Sequence, residues 1–422
     1  MAARTAARAG LKVLLVEKNK KIGHAKRLCS RLLRLGAGGF RTDVIPTDID
    51  SRRVNVSIDI DKGHSTIRPK TLPPDATIEY KGTWGPCFND TWISPSGYTL
   101  NRDEDNLHFS GFVVDKDVLL EGLAGEAGEA GCELRAGCRC VGIADGSDAV
   151  SVTLQSRAKK ETVRAKRAIV ADGAFSPLIE PLGINEGRPV SKRRIKFLSL
   201  ILDGIDSSCP AVLRRIKFCL PSVHKGYITL GPWPPGQFQL GTSTVAGSSV
   251  HLPSVLRTLM SDSPYSHWLS GAQEVARHGC NMEFRLPVPD PARGNVICIG
   301  DNVAYAETAI KGAIGCGYMA AQATLSSLQG ENGNESYNDY WQHACNYFSP
   351  EYKKNVRQIK KLPAVLDDRE IDALFKWVQD NRIWGVPEDC LPANREHLEC
   401  ELPEIAGKIY ASATPVKKAR VA

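Results

Sequence analysis

Three carboxylates in this chain stand where short apolar runs end. Glu17 closes the run Val13–Val16, Asp172 follows Ala168–Ala171 and precedes Gly173, and Asp301 follows Gly300 after Val296–Ile299. An acid at the C-terminal end of a buried strand can accept hydrogen bonds from the hydroxyls of a ribose or ribityl chain. A glycine beside it lets the backbone approach a sugar–phosphate chain closely, because no Cβ stands in the way. An isolated Asp-Gly is more often only a turn. The recurrence after three apolar runs points instead to one ligand crevice, since the strand ends of a doubly wound sheet gather on one side.

The elements that position the first acid can be read directly. Residues 2–9 are Ala-rich and helical in type, Gly10 stops the helix, and a strand leads to Glu17. This order is the second half of a dinucleotide-binding βαβ unit. The first half would be a strand and a Gly-rich turn whose N–H groups cradle pyrophosphate at the helix N-terminus. No Gly-x-Gly-x-x-Gly run occurs in the sequence, and Met1 falls where that turn would hand over to the helix. The expectation is a natural protein longer at its start by ~15–20 residues, the length of a strand and turn. The chain as it stands is expected to hold a dinucleotide weakly.

Further elements follow from pattern. Arg31–Leu35 reads as a short helix, Val54–Ile60 as an alternating strand, and Val118–Ala130 as a helix with one apolar face. Strands are expected at 138–144, 149–155, 161–165, 168–171, 195–202, 215–220, 227–230 and 237–242. Helices are expected at 252–261, 265–271 and 312–328, and over most of 335–384. The terminal stretch 411–422 is small, basic and disordered in composition.

Bulk properties exclude several classes. The chain has 422 residues, is 42% hydrophobic and 24% charged, and so has the make-up of an ordinary globular protein large enough for two domains. No apolar run reaches the ~20 residues that cross a bilayer. A net charge of +7 favours phosphate-bearing ligands or an anionic membrane surface, but the basic residues are scattered and do not mark a nucleic-acid binder. Thirteen cysteines without an export signal read as free thiols in a cytoplasm. Cys132, Cys138 and Cys140 have no second pair at ligand spacing, so no metal site is expected. His24 and His224 read as structural, and Trp84, Trp92 and Trp233 as core or cavity wall. Phe197, Leu198, Leu200, Phe218, Tyr227, Trp233 and Phe238 are numerous enough to line an apolar cavity.

Over most of residues 2–345 the sequence resembles the flavin-dependent oxidoreductases of the p-hydroxybenzoate hydroxylase fold, and within them the geranylgeranyl reductase group. The resemblance rests on Glu17, on Lys26-x-x-Cys29, on Val114-Asp115-Lys116 where Val-Asp-Arg is usual, and on Asp172-Gly173-Ala-Phe-Ser176. It extends to Gly300-Asp301 and Lys311-Gly312-Ala-Ile-Gly315. Ser30-Arg31 stands where two glycines are usual, and Gly226–Pro232 lacks the aromatics of the group's substrate-domain signature.

The resemblance implies an α/β fold. A three-layer, Rossmann-like FAD-binding domain would use 1–43, 111–185 and 285–345. An inserted, mainly antiparallel substrate domain would use 44–110 and 186–284, followed by a helical segment 346–410. It implies FAD held by Glu17, Lys18, Lys26, Asp172, Gly173, Gly300, Asp301, Gly312 and Ala313. Cys29 and Lys311 are the catalytic candidates, with Lys311 tuning the flavin. NAD(P)H or a ferredoxin-type protein would supply electrons. The implied reaction is reduction or dehydrogenation of a small apolar substrate, isoprenoid or lipid-like, in the cytoplasm or at a membrane surface. An NAD(P)H-dependent aromatic monooxygenase shares these motifs, and a non-catalytic remnant unable to hold FAD is the third reading.

Overall fold

The computed structural model describes residues 1–24, 29–34, 56–61, 64–69, 72–101, 109–157, 159–188, 190–234, 236–305, 307–345, 348 and 359–410. Two compact units form. One comprises Met1–Gly85, Ser110–Arg194 and Asn281–Tyr352, the other Pro86–Phe109, Ile195–Cys280 and Lys353–Ala422.

In the first unit the strand Leu14–Glu17 pairs in parallel with Glu133–Ala136, Leu14 opposite Glu133 and Glu17 opposite Ala136. The helix Ala2–Arg8 precedes it and the helix Lys116–Glu129 leads into its partner. That second helix starts at Lys116 because the Asp115 carboxylate accepts the Asp117 amide at its N-cap. Buried Arg4 joins the two helices, donating to Glu126 Oε2 at 2.9 Å and to the carbonyls of Thr77 and Asp75. Arg139–Asp145, Val150–Gln155 and Lys160–Ala165 form an antiparallel meander. Ala168–Val170 then runs parallel to Val296–Cys298. Val170, Val296, Ile297 and Cys298 are buried together with Cys316, Ala320, Tyr337 and Trp341.

The long helix Ala309–Leu328 is rich in Ala and Gly because other helices approach it closely. A Cβ on Gly317 would lie 2.9 Å from Met1 Cβ, and one on Gly333 would collide with the Ala323 carbonyl oxygen. Residues 56–80, expected within the inserted domain, lie in this unit. Ile67, Ile78 and Tyr80 are buried with Val114, Leu119, Leu123 and Ile314. The expected helix Arg31–Leu35 is a strand instead. Leu32–Arg34 pairs with Gly111–Val113, and Arg31 has φ 54°, which no helix accommodates. A helical reading of three apolar residues in five loses to the edge bonds and burial that the neighbouring strand provides.

The second unit is built on an antiparallel sheet. Val190–Asp203 pairs from Ile195 onward with Gln237–Val245, which pairs with Ile228–Trp233, and that with Arg214–Phe218. One face buries Leu200, Leu202, Ile216, Phe218, Ile228, Leu230 and Leu240 against Val255, Leu256 and Leu259 of the helix Leu252–Asp262. Leu200 and Phe218, expected to line a cavity, are therefore core residues, and Leu198 and Phe238 pack against that same core. The sequence shows that a strand has two faces, but not which of them the helix covers. The expected helix 265–271 is only the tight turn Ser266–Trp268.

Short helices close the chain: Leu362–Val365, Asp368–Asp380, Pro387–Ala393, Arg395–Glu401 and Pro403–Tyr410. The segment 411–422, read as disordered, lies outside the described residues. Among the described residues no helix is long and apolar enough to cross a membrane, and no cluster of His, Cys, Asp and Glu could hold a metal ion.

His224 is buried in the second unit, where its Nε2 donates to the Ser243 carbonyl at 3.0 Å. Burial lowers its pKa, and Lys361 lowers it further. The unfolded chain, with an ordinary histidine pKa of about 6.5, takes up a proton that the folded chain refuses. This contribution to stability is complete above that value and is lost as pH falls toward the lowered folded pKa. The urea midpoint of the wild type should therefore drop between about pH 7.5 and about pH 5.5 more than that of His224→Gln. Equal drops would leave His224 without a role in acid sensitivity.

Candidate functional site

Two of the predicted strand ends meet. Because Ala168–Val170 and Val296–Cys298 run side by side, Asp172-Gly173 and Gly300-Asp301 leave the sheet at one corner. Gly173 has φ 90° and Gly300 φ 77°, a left-handed backbone that explains the glycines. Asn302 ties the ends together. Its Nδ2 donates to the Val170 carbonyl at 3.0 Å and to Asp172 Oδ1 at 3.3 Å. Asn302 is 1% exposed, and its Oδ1 is buried without a hydrogen-bond partner. Asp301 Oδ1 accepts from the Thr308 amide at 2.9 Å and the Thr308 hydroxyl at 3.2 Å. Those bonds fix the carboxylate at the mouth of the helix Ala309–Leu328, three residues before the expected start at Gly312. Lys311 and Gly312 are buried in its first turn, and Ala313 is exposed.

Electrostatics at the corner keep nearby thiols protonated. Burial, with Asp172 adding to it, pushes Cys298 up to about 12, and burial does the same to Cys316. Neither can serve as a thiolate at neutral pH.

Glu17 lies in the separate parallel pair with Glu133–Ala136. Its Oε1 accepts the Asn19 amide at 2.8 Å, and Oε2 takes no bond from the described residues. No hydrogen bond among the described residues joins it to the corner. Lys18 is exposed, and Lys26 lies outside the described residues. Cys29 is half-buried, and its Sγ accepts the Arg31 amide at 3.4 Å. Arg31 donates to Asp115 Oδ1 and Asp117 Oδ2, each at 2.7 Å, and so fastens this loop to the start of the helix Lys116–Glu129. Its left-handed backbone is the conformation glycine would hold with least strain.

Sequence reasoning missed Asn302, Thr308 and the ion pairs of Arg31. Thr308 had a local signal, a threonine just ahead of an Ala-rich helix. The other two depend on distant partners.

The residues present fit the sugar side of a flavin dinucleotide. They offer a carboxylate oxygen at Glu17 that takes no hydrogen bond from the described residues, a buried Asn302 Oδ1 with no partner among them, and two glycine turns beside carboxylates. Residues 108–246 match the profile of a family described as an FAD binding domain, and the fold is similar to those of the following solved structures. The chain matches a geranylgeranyl bacteriochlorophyll reductase-like protein of Thermoplasma acidophilum with a TM-score of 0.63 at 19% identity. That match covers 96% of this chain and 94% of the other. A p-nitrophenol 4-monooxygenase of Pseudomonas putida gives 0.57 at 13%, covering 96% and 95%.

Among sequences, the chain is a distant homologue of digeranylgeranylglycerophospholipid reductases. It is 27% identical to that of Methanosphaerula palustris over 49% of this chain and 44% of the relative. To that of Methanococcoides burtonii it is 27% identical over 50% and 44%. The matched region thus spans less than half the length of these relatives.

Arg31 provides a stability test. Both Arg31→Ala and Arg31→Gly lose the two ion pairs, but only alanine keeps the left-handed strain, about 1–2 kcal/mol. Urea unfolding should find Arg31→Gly the more stable by about 1 kcal/mol, after glycine's extra unfolded-chain entropy is allowed for. An alanine variant as stable as the glycine variant would contradict the strain at this position.

Proposed function

We propose that this chain is an FAD-dependent oxidoreductase acting on an apolar, isoprenoid or lipid-like substrate. The observation that carries the reading is the corner itself, where Asp172-Gly173 and Gly300-Asp301 are joined by Asn302 and braced by Thr308. The names of the distant homologues support the substrate class.

Asp172, Asp301 and Asn302 would hold the hydroxyls of the ribityl chain, Gly173 and Gly300 would let the backbone close on it, and Glu17 would hold the adenosine ribose. When bound, FAD supplies hydride or electron transfer. The chain's own part is to orient that group and to set the charge around it. Lys311, buried on the first turn of the helix, adds an ammonium to the positive end of the helix dipole, and together they favour negative charge nearby. Cys29 sits in the loop that Arg31 holds in place, half-buried and oriented by the Arg31 amide.

Charge-assisted hydrogen bonds contribute about 1.5–3 kcal/mol each. Fluorescence titration should therefore show Asp301→Ala weakening FAD binding at least about tenfold, with Asp301→Asn milder because it keeps an acceptor. Unchanged affinity in the alanine variant would sink the reading. In the FAD complex, Lys311→Met should lower the flavin midpoint potential by tens of millivolts, ~30 mV corresponding to about 1.4 kcal/mol in a two-electron couple. A potential that stays put would leave the helix dipole as the stabiliser.

A further inference from the structure

Arg188 reaches the same corner from the protein side. It is 7% exposed. Its Nε donates to the Leu286 carbonyl, and Nη1 donates to the Asn302 carbonyl at 2.7 Å and to Asn185 Oδ1 at 3.2 Å. Nη2 donates to the Ala304 carbonyl at 2.7 Å. The guanidinium thus gathers carbonyls from two segments, one before the strand Val296–Cys298 and one directly after Gly300-Asp301. Buried carbonyls need donors, and the tight turn Gly300–Asn302 leaves those of Asn302 and Ala304 pointing inward. A planar fork with five fixed donors can satisfy carbonyls in several directions at once; an ammonium, with three donors on one atom, cannot span them.

The backbone pinned at residues 302 and 304 is the one that carries the unpartnered Asn302 Oδ1 and the Asp301 carboxylate. We infer that Arg188 is a positioning residue for the cofactor. By clamping this turn it sets where Asp301 and Asn302 present their oxygens, and so governs affinity for the ribityl side of FAD. This rests on the cofactor reading above.

The test is a double-mutant cycle in the full chain, with FAD dissociation constants measured for wild type, Arg188→Met, Asp301→Ala and the double variant. Arg188→Lys is the conservative control. If Arg188 acts through the turn, Arg188→Met weakens FAD about tenfold and Arg188→Lys less, about three- to fivefold. The double variant then loses clearly less than the product of the two single losses, because the part of the loss that runs through Asp301 is shared. Losses that multiply would mean that Arg188 acts through general stability, and would overturn the inference. So would FAD affinity unchanged by Arg188→Met or, should that variant fail to fold, by Arg188→Lys. An Asp301→Ala variant that binds FAD like the wild type would overturn the cofactor reading itself.

Discussion

The corner depends on a three-residue parallel pairing, Ala168–Val170 against Val296–Cys298. Asn302 and Val170, joined by one of its hydrogen bonds, are 132 residues apart in sequence. Closing a loop of ~130 residues costs about 4 kcal/mol of chain entropy. Burial of Val170, Val296 and Ile297 in the surrounding core, at about 1.5–3 kcal/mol for each side chain, is enough to offset it. Once the two strands are in register, the rest follows locally. Gly173 and Gly300 turn the chain out of the sheet, Asn302 spans the two exits, and Thr308 locks Asp301 at the start of the long helix.

The corner is acidic in what it presents, and that narrows its ligand chemistry. Asp172 and Asp301 accept hydrogen bonds and repel phosphate, so they suit a chain of neutral hydroxyls. The positive elements nearby are buried. Lys311 lies inside the first helical turn, and the Arg188 guanidinium faces backbone carbonyls.

What could be read in the sequence was whatever depends on neighbours in the chain. An apolar run ending in Asp-Gly or Gly-Asp is a local pattern, and both acids stand where that pattern placed them. The N-cap at Asp115 is local too. Asn302 and Arg188 escaped because their partners lie about a hundred residues away and exist only in the folded register. Leu32 and Leu33 belong to a strand because Val113 and Phe112 are there to pair with them. Phe218 and Leu200 looked like pocket residues because alternation defines two faces without saying which one the helix Leu252–Asp262 will cover. The resemblance puts the segment 56–80 in the inserted domain, whereas its place in the first unit is set by the burial of Ile67, Ile78 and Tyr80.

The long span between the two strands also bears on biosynthesis. On a ribosome the chain emerges from its N-terminus, and the meander Arg139–Asp145, Val150–Gln155 and Lys160–Ala165 has its partners as soon as it appears. Val170 and Asp172 do not. Their neighbours are Val296–Cys298, Asn302 and, through Asp301, Thr308. Until that stretch has left the exit tunnel, the edge of Ala168–Val170 that will face Val296–Cys298 stays unpaired, and an unpaired apolar strand edge is open to wrong partners. The nascent protein therefore passes through a stage in which much of its first unit has been made and its corner does not yet exist.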